Sequence, residues 1–265
     1  MSGLVGLLRS LAMYYAIPWR WSRMRRFYHQ FINSGDLSFD IGSHVGNRIH
    51  TWLRLGASVV AVEPQPSCAA LLRAFYGRNP RVTLVQAAVS DTGEQCVLHL
   101  SRRYPTLATV SARWVKRAAE TPGFSHVEWN STVRVPSLTL DQLIERHGEP
   151  AFIKVDVEGH EDRVVASLST PVRALSFEYL PADPAVALAC VDHMESLAEY
   201  RYNLSAGETM RLQSDNWLDA ETVRRQLRSL GPGTLSGDVY ARVHSSSGLS
   251  VQNATNSSKV RRSSR

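Results

Sequence analysis

Three short stretches bring together side chains whose types and spacing could do chemistry. In FDIGSHVGN (39–47) Asp40 stands two residues before Gly42, and Gly46 follows four residues later. In VVAVEPQP (59–66) Glu63 closes a run rich in valine. In KVDVEGHE (154–161) Lys154, Asp156 and Glu158 alternate with valines, and Gly159 and His160 follow. A glycine turn that opens a helix commonly cradles an anion, because the helix N-terminus presents free N–H donors. Asp40 inverts that preference, since an uncompensated carboxylate repels a pyrophosphate. Glu63 offers two acceptor oxygens to a pair of hydroxyls, as on a ribose.

The elements that must position these groups follow from hydrophobic pattern. Short apolar runs at 37–41, 58–62, 82–89, 151–157 and 172–179 read as strands buried on both faces of a parallel sheet. Helical patterns at about 45–55, 66–77, 139–147, 161–168 and 184–199 alternate with them. Repeated β-α alternation predicts a doubly wound, Rossmann-like α/β fold with a mostly parallel sheet and helices on both faces. Residues 94–136 form an insertion between core strands 3 and 4, long enough to wall a ligand cleft. A further helix over 219–230, with Asp219 as its N-cap, precedes a strand at 237–243.

In such a fold, ligands sit beyond the carboxyl ends of the strands, so Asp40, Glu63 and the 154–160 stretch should converge. A G-x-x-x-G turn with an acid at its mouth departs from the G-x-G-x-x-G of dinucleotide sites, which disfavours an NAD-dependent oxidoreductase. S-adenosylmethionine suits the pattern better, because it carries a sulfonium and an ammonium, has a ribose diol and lacks phosphate. Methyl transfer then leaves the protein to position the acceptor, exclude water and remove a proton. Asp156, Glu158 and His160 are candidate bases, with Lys154 ordering the acids, pairing with Glu158 beneath the site, or stabilising an oxyanion. His160 alternatively opens the next helix, and His44 either faces the substrate or, the preferred reading, is a surface histidine at a helix start. Asp156, Glu158 and Glu161 also raise a magnesium reading; their spacing does not make them converge, and no metal is expected.

These motifs, with AAVSDTGE, TLDQLI and SFEY in order, resemble the FkbM-type family of S-adenosylmethionine-dependent methyltransferases over roughly residues 25–243. The resemblance implies a class I methyltransferase fold and cofactor contacts at Asp40, Gly42, Gly46 and Glu63, with Asn47 and Pro64 beside them. Near the adenine it implies Ala88 and Ser90. It further implies O-methylation of a small-molecule hydroxyl, on a natural product or a sugar. A non-catalytic methyltransferase-like interaction module is the alternative outside enzymes.

Charge distribution bounds the partners. Residues 1–35 and 239–265 hold ten of the 30 basic residues and no acid, so the middle carries 20 basic residues against 24 acids. The basicity belongs to the ends, which argues against a nucleic-acid partner. Cys68, Cys96 and Cys190 show no CxxC spacing, so neither a disulfide framework nor a zinc site is expected, and the cytoplasm is the default compartment. Residues 1–35 read as a basic, aromatic helical extension, 36–243 as the methyltransferase domain and 244–265 as a disordered serine-rich tail. LVGLLRSLAMYYAI is too short to span a bilayer. The extension could touch a membrane surface, but a helix packing its apolar stripe on the domain is the preferred reading.

Overall fold

The computed structural model describes residues 18–244 except 102, 122 and 232. The expected tail from 245 onward and the first 17 residues lie outside the described residues.

Seven strands form the main sheet in the order β3-β2-β1-β7-β8-β10-β9. They are β1 (Leu37–Ile41), β2 (Ser58–Val62), β3 (Val82–Val85), β7 (Phe152–Val155), β8 (Ala174–Tyr179), β9 (Tyr200–Ala206) and β10 (Gly237–Val243). β10 runs antiparallel to both β8 and β9, and the other pairings are parallel. This is the doubly wound class I arrangement that the resemblance implies. The chain winds outward from β1 through β2 to β3, then returns to place β7 on β1's other side, so the switch point lies between β1 and β7.

Eight α-helices lie among the described residues: α1 (Pro18–Tyr28), α2 (Asn47–Arg54), α3 (Pro66–Tyr76), α4 (Ala112–Ala118), α5 (Leu140–His147), α6 (Glu161–Val165), α7 (Pro184–Leu197) and α8 (Ala220–Ser229). Their starts are written locally. α5 opens on a capping box between Thr139 and Gln142. Asp219 caps α8 by accepting from the Thr222 N–H at 2.7 Å. No helix among the described residues is long and apolar enough to cross a membrane.

The two faces of the sheet bury different clusters. One face packs Ile41, Ile153, Val155, Leu175 and Phe177 under α7 and α8 residues such as Val191 and Val223. The other packs Phe152 and Tyr240 beneath α1, where the Phe31 ring stacks on both at 5.0 and 5.4 Å. Met24, Phe27 and Tyr28 are buried there as well. The described part of the N-terminal extension therefore packs its apolar stripe on the domain.

One expectation is corrected, and two elements are added to the expected fold. The run 82–89 breaks into β3 and a separate β4 (Ala88–Val89), which pairs with β6 (Ser131–Leu138) instead of extending the main sheet. β5 (Gln95–Leu100) pairs antiparallel to β6, so the insertion is a small sheet with α4 beside it. β9 was not anticipated, because YRYNLSA lacks the continuous apolar run that marks the inner strands.

Candidate active site

The turns leaving β1 and β7 meet. A Cβ added to Gly42 (φ 84°) would lie 1.9 Å from the Asp156 carbonyl oxygen, so backbone meets backbone and only glycine fits. Beside this contact opens a cleft. Gly42, His44, Glu63, Pro64, Gln65, Asp156 and Glu158 give it polar and turn surfaces, while Ile41, Val62, Ala88, Val89 and Val157 make it apolar. The insertion closes one wall with Leu98, Thr106, Ala108, Thr109 and Val110. A mostly apolar cleft with a few convergent polar groups is the usual form of a small-molecule site.

On the β1–β2 side, Glu63 is buried and its oxygens accept from the N–H groups of His44 and Gln65, each at 2.8 Å. Each oxygen keeps a second lone pair for a ligand. Burial raises its pKa to about 7. Asp40 is fully buried in β1, and neither carboxylate oxygen has a hydrogen-bond partner. The Ser43 hydroxyl donates its hydrogen bond to the Asp40 main-chain carbonyl at 2.7 Å instead. Burial pushes the Asp40 carboxyl up to about 6, against the pull of Arg48. Asp40 itself does not line the cleft, but its orphaned carboxylate lies next in sequence to the lining Ile41 and Gly42 and fits a cationic ligand reached through a water.

Gly46 (φ 81°) does not line the cleft; it caps α2, and a Cβ there would press on Leu72 and Tyr76. Asn47 accepts from the Arg48 N–H at 3.0 Å and also lies off the cleft. Ser90 is buried behind Ala88 and Val89, its hydroxyl shared between Asp91 and His160 at 3.0 Å each. His160 is consequently engaged away from the cleft, at the start of α6, and burial lowers its pKa. His44 departs from its surface reading: it lines the cleft in a left-handed conformation (φ 47°), and burial lowers it to about 4.

Across the cleft, the β7–β10 side holds paired charges. Lys154 Nζ, fully buried, donates to Asp238 Oδ1 at 2.8 Å and to the Val155 carbonyl at 3.0 Å, and lies 3.5 Å from Asp156 Oδ2. The expected Lys154–Glu158 pair is thus replaced by two aspartates. Arg48 Nη2 reaches Asp156 at 3.1 Å and Glu208 at 3.5 Å, and its Nε donates to the Tyr28 hydroxyl. Burial alone would raise Asp156, but Lys154 and Arg48 outweigh it and hold the carboxyl below the usual range. The same aspartates raise Lys154 against the opposing effect of burial.

Glu158 stands apart from this network. β7 ends at Val155, and Glu158 turns into a left-handed conformation (φ 57°) instead of sharing one extended side with Lys154 and Asp156. Its carbonyl accepts from Thr109 Oγ1 at 2.7 Å, and Glu161 braces the turn by accepting from the N–H groups of Val157 and Gly159. Glu161 is therefore spent on the turn, and Glu178 of β8 comes to the site in its place. Carboxylate oxygens of Asp156, Glu158 and Glu178 lie within 4.8 Å of one another. Burial, then the neighbouring carboxylates, raises Glu158 and Glu178 well above the ordinary range.

Arg48, Glu178, Asp238 and Thr109 were missed in the sequence. Only Arg48 left a signal: an arginine one position inside a helix whose first turn must face the domain.

Residues 40–204 match the model of the methyltransferase FkbM domain. The chain belongs to the FkbM methyltransferase family. As a methyltransferase of this family it draws its methyl group from S-adenosylmethionine. Among solved structures, this FkbM methyltransferase is similar to precorrin-6y C5,15-methyltransferase from Geobacter metallireducens, at 12% identity over 85% of this chain and 86% of that one, TM-score 0.40. An rRNA methylase from Streptococcus thermophilus matches at 11% identity over 83% and 94%, TM-score 0.40. Cofactor-bound Rv0187 from MTB matches at 11% over 91% and 89%, TM-score 0.41. No curated protein matches the sequence at a significant level.

Proposed function

We propose that this methyltransferase O-methylates a hydroxyl group on a small molecule, a natural product or a sugar, with Glu158 as the base. The observation that carries the reading is a cleft-lining carboxylate of raised proton affinity, Glu158, held on a strained turn beside a charged network that is already satisfied. A base must be both reachable and basic. Asp156 is reachable, but Lys154 and Arg48 make it a weak proton acceptor. Lys154 is enclosed, and His160 lies off the cleft.

The bound cofactor supplies an activated methyl group on a sulfonium. Glu63 would take the ribose hydroxyls, and Asp40 would attract the ammonium group. Apolar Val62, Ala88 and Val89 would exclude water around the base. Glu158 Oε then accepts the acceptor's hydroxyl proton, while Asp156 stays ionised and fixes the floor of the acceptor side.

Incubation with methyl-labelled S-adenosylmethionine and a panel of hydroxylated acceptors tests the reading. An O-methyl product by NMR supports it. A product methylated on nitrogen or carbon, or transfer to RNA alone, overturns it.

A further inference from the structure

α1 turns its basic side outward. Its buried residues are Met24, Phe27 and Tyr28, whereas Arg23, Arg25 and Arg26 are exposed. At about 100° per residue, those three arginines fan across the whole outward arc of the helix. Two grooves flank it. Arg25 shares one with Trp21, His50 and Arg54 of α2. Arg23 and Arg26 share the other with Met210 and Arg211. No acid lines either groove. Among the described residues, none of these five arginines pairs with a carboxylate, unlike the partnered Arg48, Arg163 and Arg173.

Like charges gathered on one face repel each other unless an anion lies over them. The sequence preceding α1 says which anion suits. Residues 1–17 include Leu4, Val5, Leu7, Leu8, Leu11, Tyr14 and Tyr15, and no acid occurs before Asp36. Apolar and aromatic side chains next to arginines match the boundary between lipid headgroups and acyl chains. A nucleic-acid strand fits less well, because Glu63, Asp156 and Glu158 at the cleft would repel phosphates led towards the chemistry.

We infer that this face docks the enzyme on an anionic phospholipid surface, with Arg23, Arg25, Arg26, Arg54 and Arg211 reading headgroup phosphates. The inference does not depend on which hydroxyl is methylated.

Co-sedimentation of the full chain with phosphatidylcholine vesicles, with and without phosphatidylserine, tests it. The protein should pellet with the serine-containing vesicles only and be released by salt. Each arginine near such a surface contributes roughly a fivefold change in partitioning, so Arg25→Gln with Arg54→Gln should weaken binding about 25-fold. Both side chains are exposed, and an unchanged thermal melt confirms that the fold is intact. Equal binding to neutral vesicles, no binding, or binding untouched by the two substitutions overturns the proposal. So does binding to a single-stranded RNA oligonucleotide, but not to vesicles, that the same substitutions abolish.

Discussion

Asp40 and Lys154 are register partners on adjacent strands and project to the same face of the sheet, yet their surroundings are opposite. Both are fully buried. Lys154 reaches past Ser176 of β8 to Asp238 of β10, and Asp156 completes its shell. Asp40 has no cation within ion-pair distance among the described residues and no hydrogen bond to its carboxylate. A buried charge without a partner is costly, so it persists where something outside the chain supplies the partner. The β7–β10 side therefore satisfies its charges within the chain, whereas the β1–β2 side, on the proposed reading, leaves a carboxylate for the cofactor.

The largest effect should come from the residue on the boundary between those two sides. Glu158→Gln keeps the shape of the turn and removes the proton acceptor, so kcat should fall by roughly 10²–10⁴ with S-adenosylmethionine affinity nearly unchanged. A variant with wild-type kcat would transfer the role to Asp156. A chelator arm sharpens the test, because wild-type turnover that survives EDTA ties the loss to proton transfer and not to a cation held by Asp156, Glu158 and Glu178.

Next in size is the architectural pair. Lys154→Met leaves Asp238 without its cation and Asp156 with Arg48 alone, and removing one partner of a buried pair costs about 3–5 kcal/mol. Chemical denaturation should show that loss with or without cofactor. Asp40→Asn should do the opposite on the neighbouring strand. At pH 8 it removes an uncompensated charge, so the cofactor-free protein should melt no lower than the wild type. A fall matching that of Lys154→Met would mean that Asp40 has a structural partner after all.

On the β1–β2 side, Glu63→Ala strands the N–H groups of His44 and Gln65 as well as the ribose hydroxyls. Calorimetry should show S-adenosylmethionine binding weakened by about 1–3 kcal/mol, the usual cost of unmade buried hydrogen bonds. Unchanged affinity removes Glu63 from the cofactor site.

Legibility followed how local each feature is. β1 and β2 coincide with the runs LSFDI and SVVAV, because an inner parallel strand is written in a single run of residues. Asp219's capping role was equally plain, since its partner lies three residues on. Asp238 could not be read, because it meets Lys154 only after β10 enters the sheet beyond β8. Glu178 was visible as a residue of SFEY but not as a member of the acid group, since its carboxylate meets Glu158 through strand packing. The left-handed turn at Glu158 hid the geometry too: alternation predicted one extended side, and Thr109 and Glu161 hold the chain otherwise.

The smallest expected effect is a pH dependence that separates the two regions. A cation and a diol want Asp40 and Glu63 ionised, and burial has raised these groups to about 6 and about 7. Both protonate as pH falls through that window, so S-adenosylmethionine affinity should be highest above about 7 and decline below it. One unit beneath Asp40's midpoint only about a tenth of that group is ionised, which weakens binding roughly tenfold, or ~1.4 kcal/mol. Asp156 contributes nothing here, because Lys154 and Arg48 hold its proton off well below the window. Binding should also release protons near pH 6, seen calorimetrically as a dependence on buffer ionisation enthalpy. Asp40→Asn should abolish the lower limb of the profile and leave the limb belonging to Glu63. An affinity that stays flat from pH 5 to 8 would show that neither acid meets the cofactor, and that the orphaned carboxylate of β1 serves some other cation.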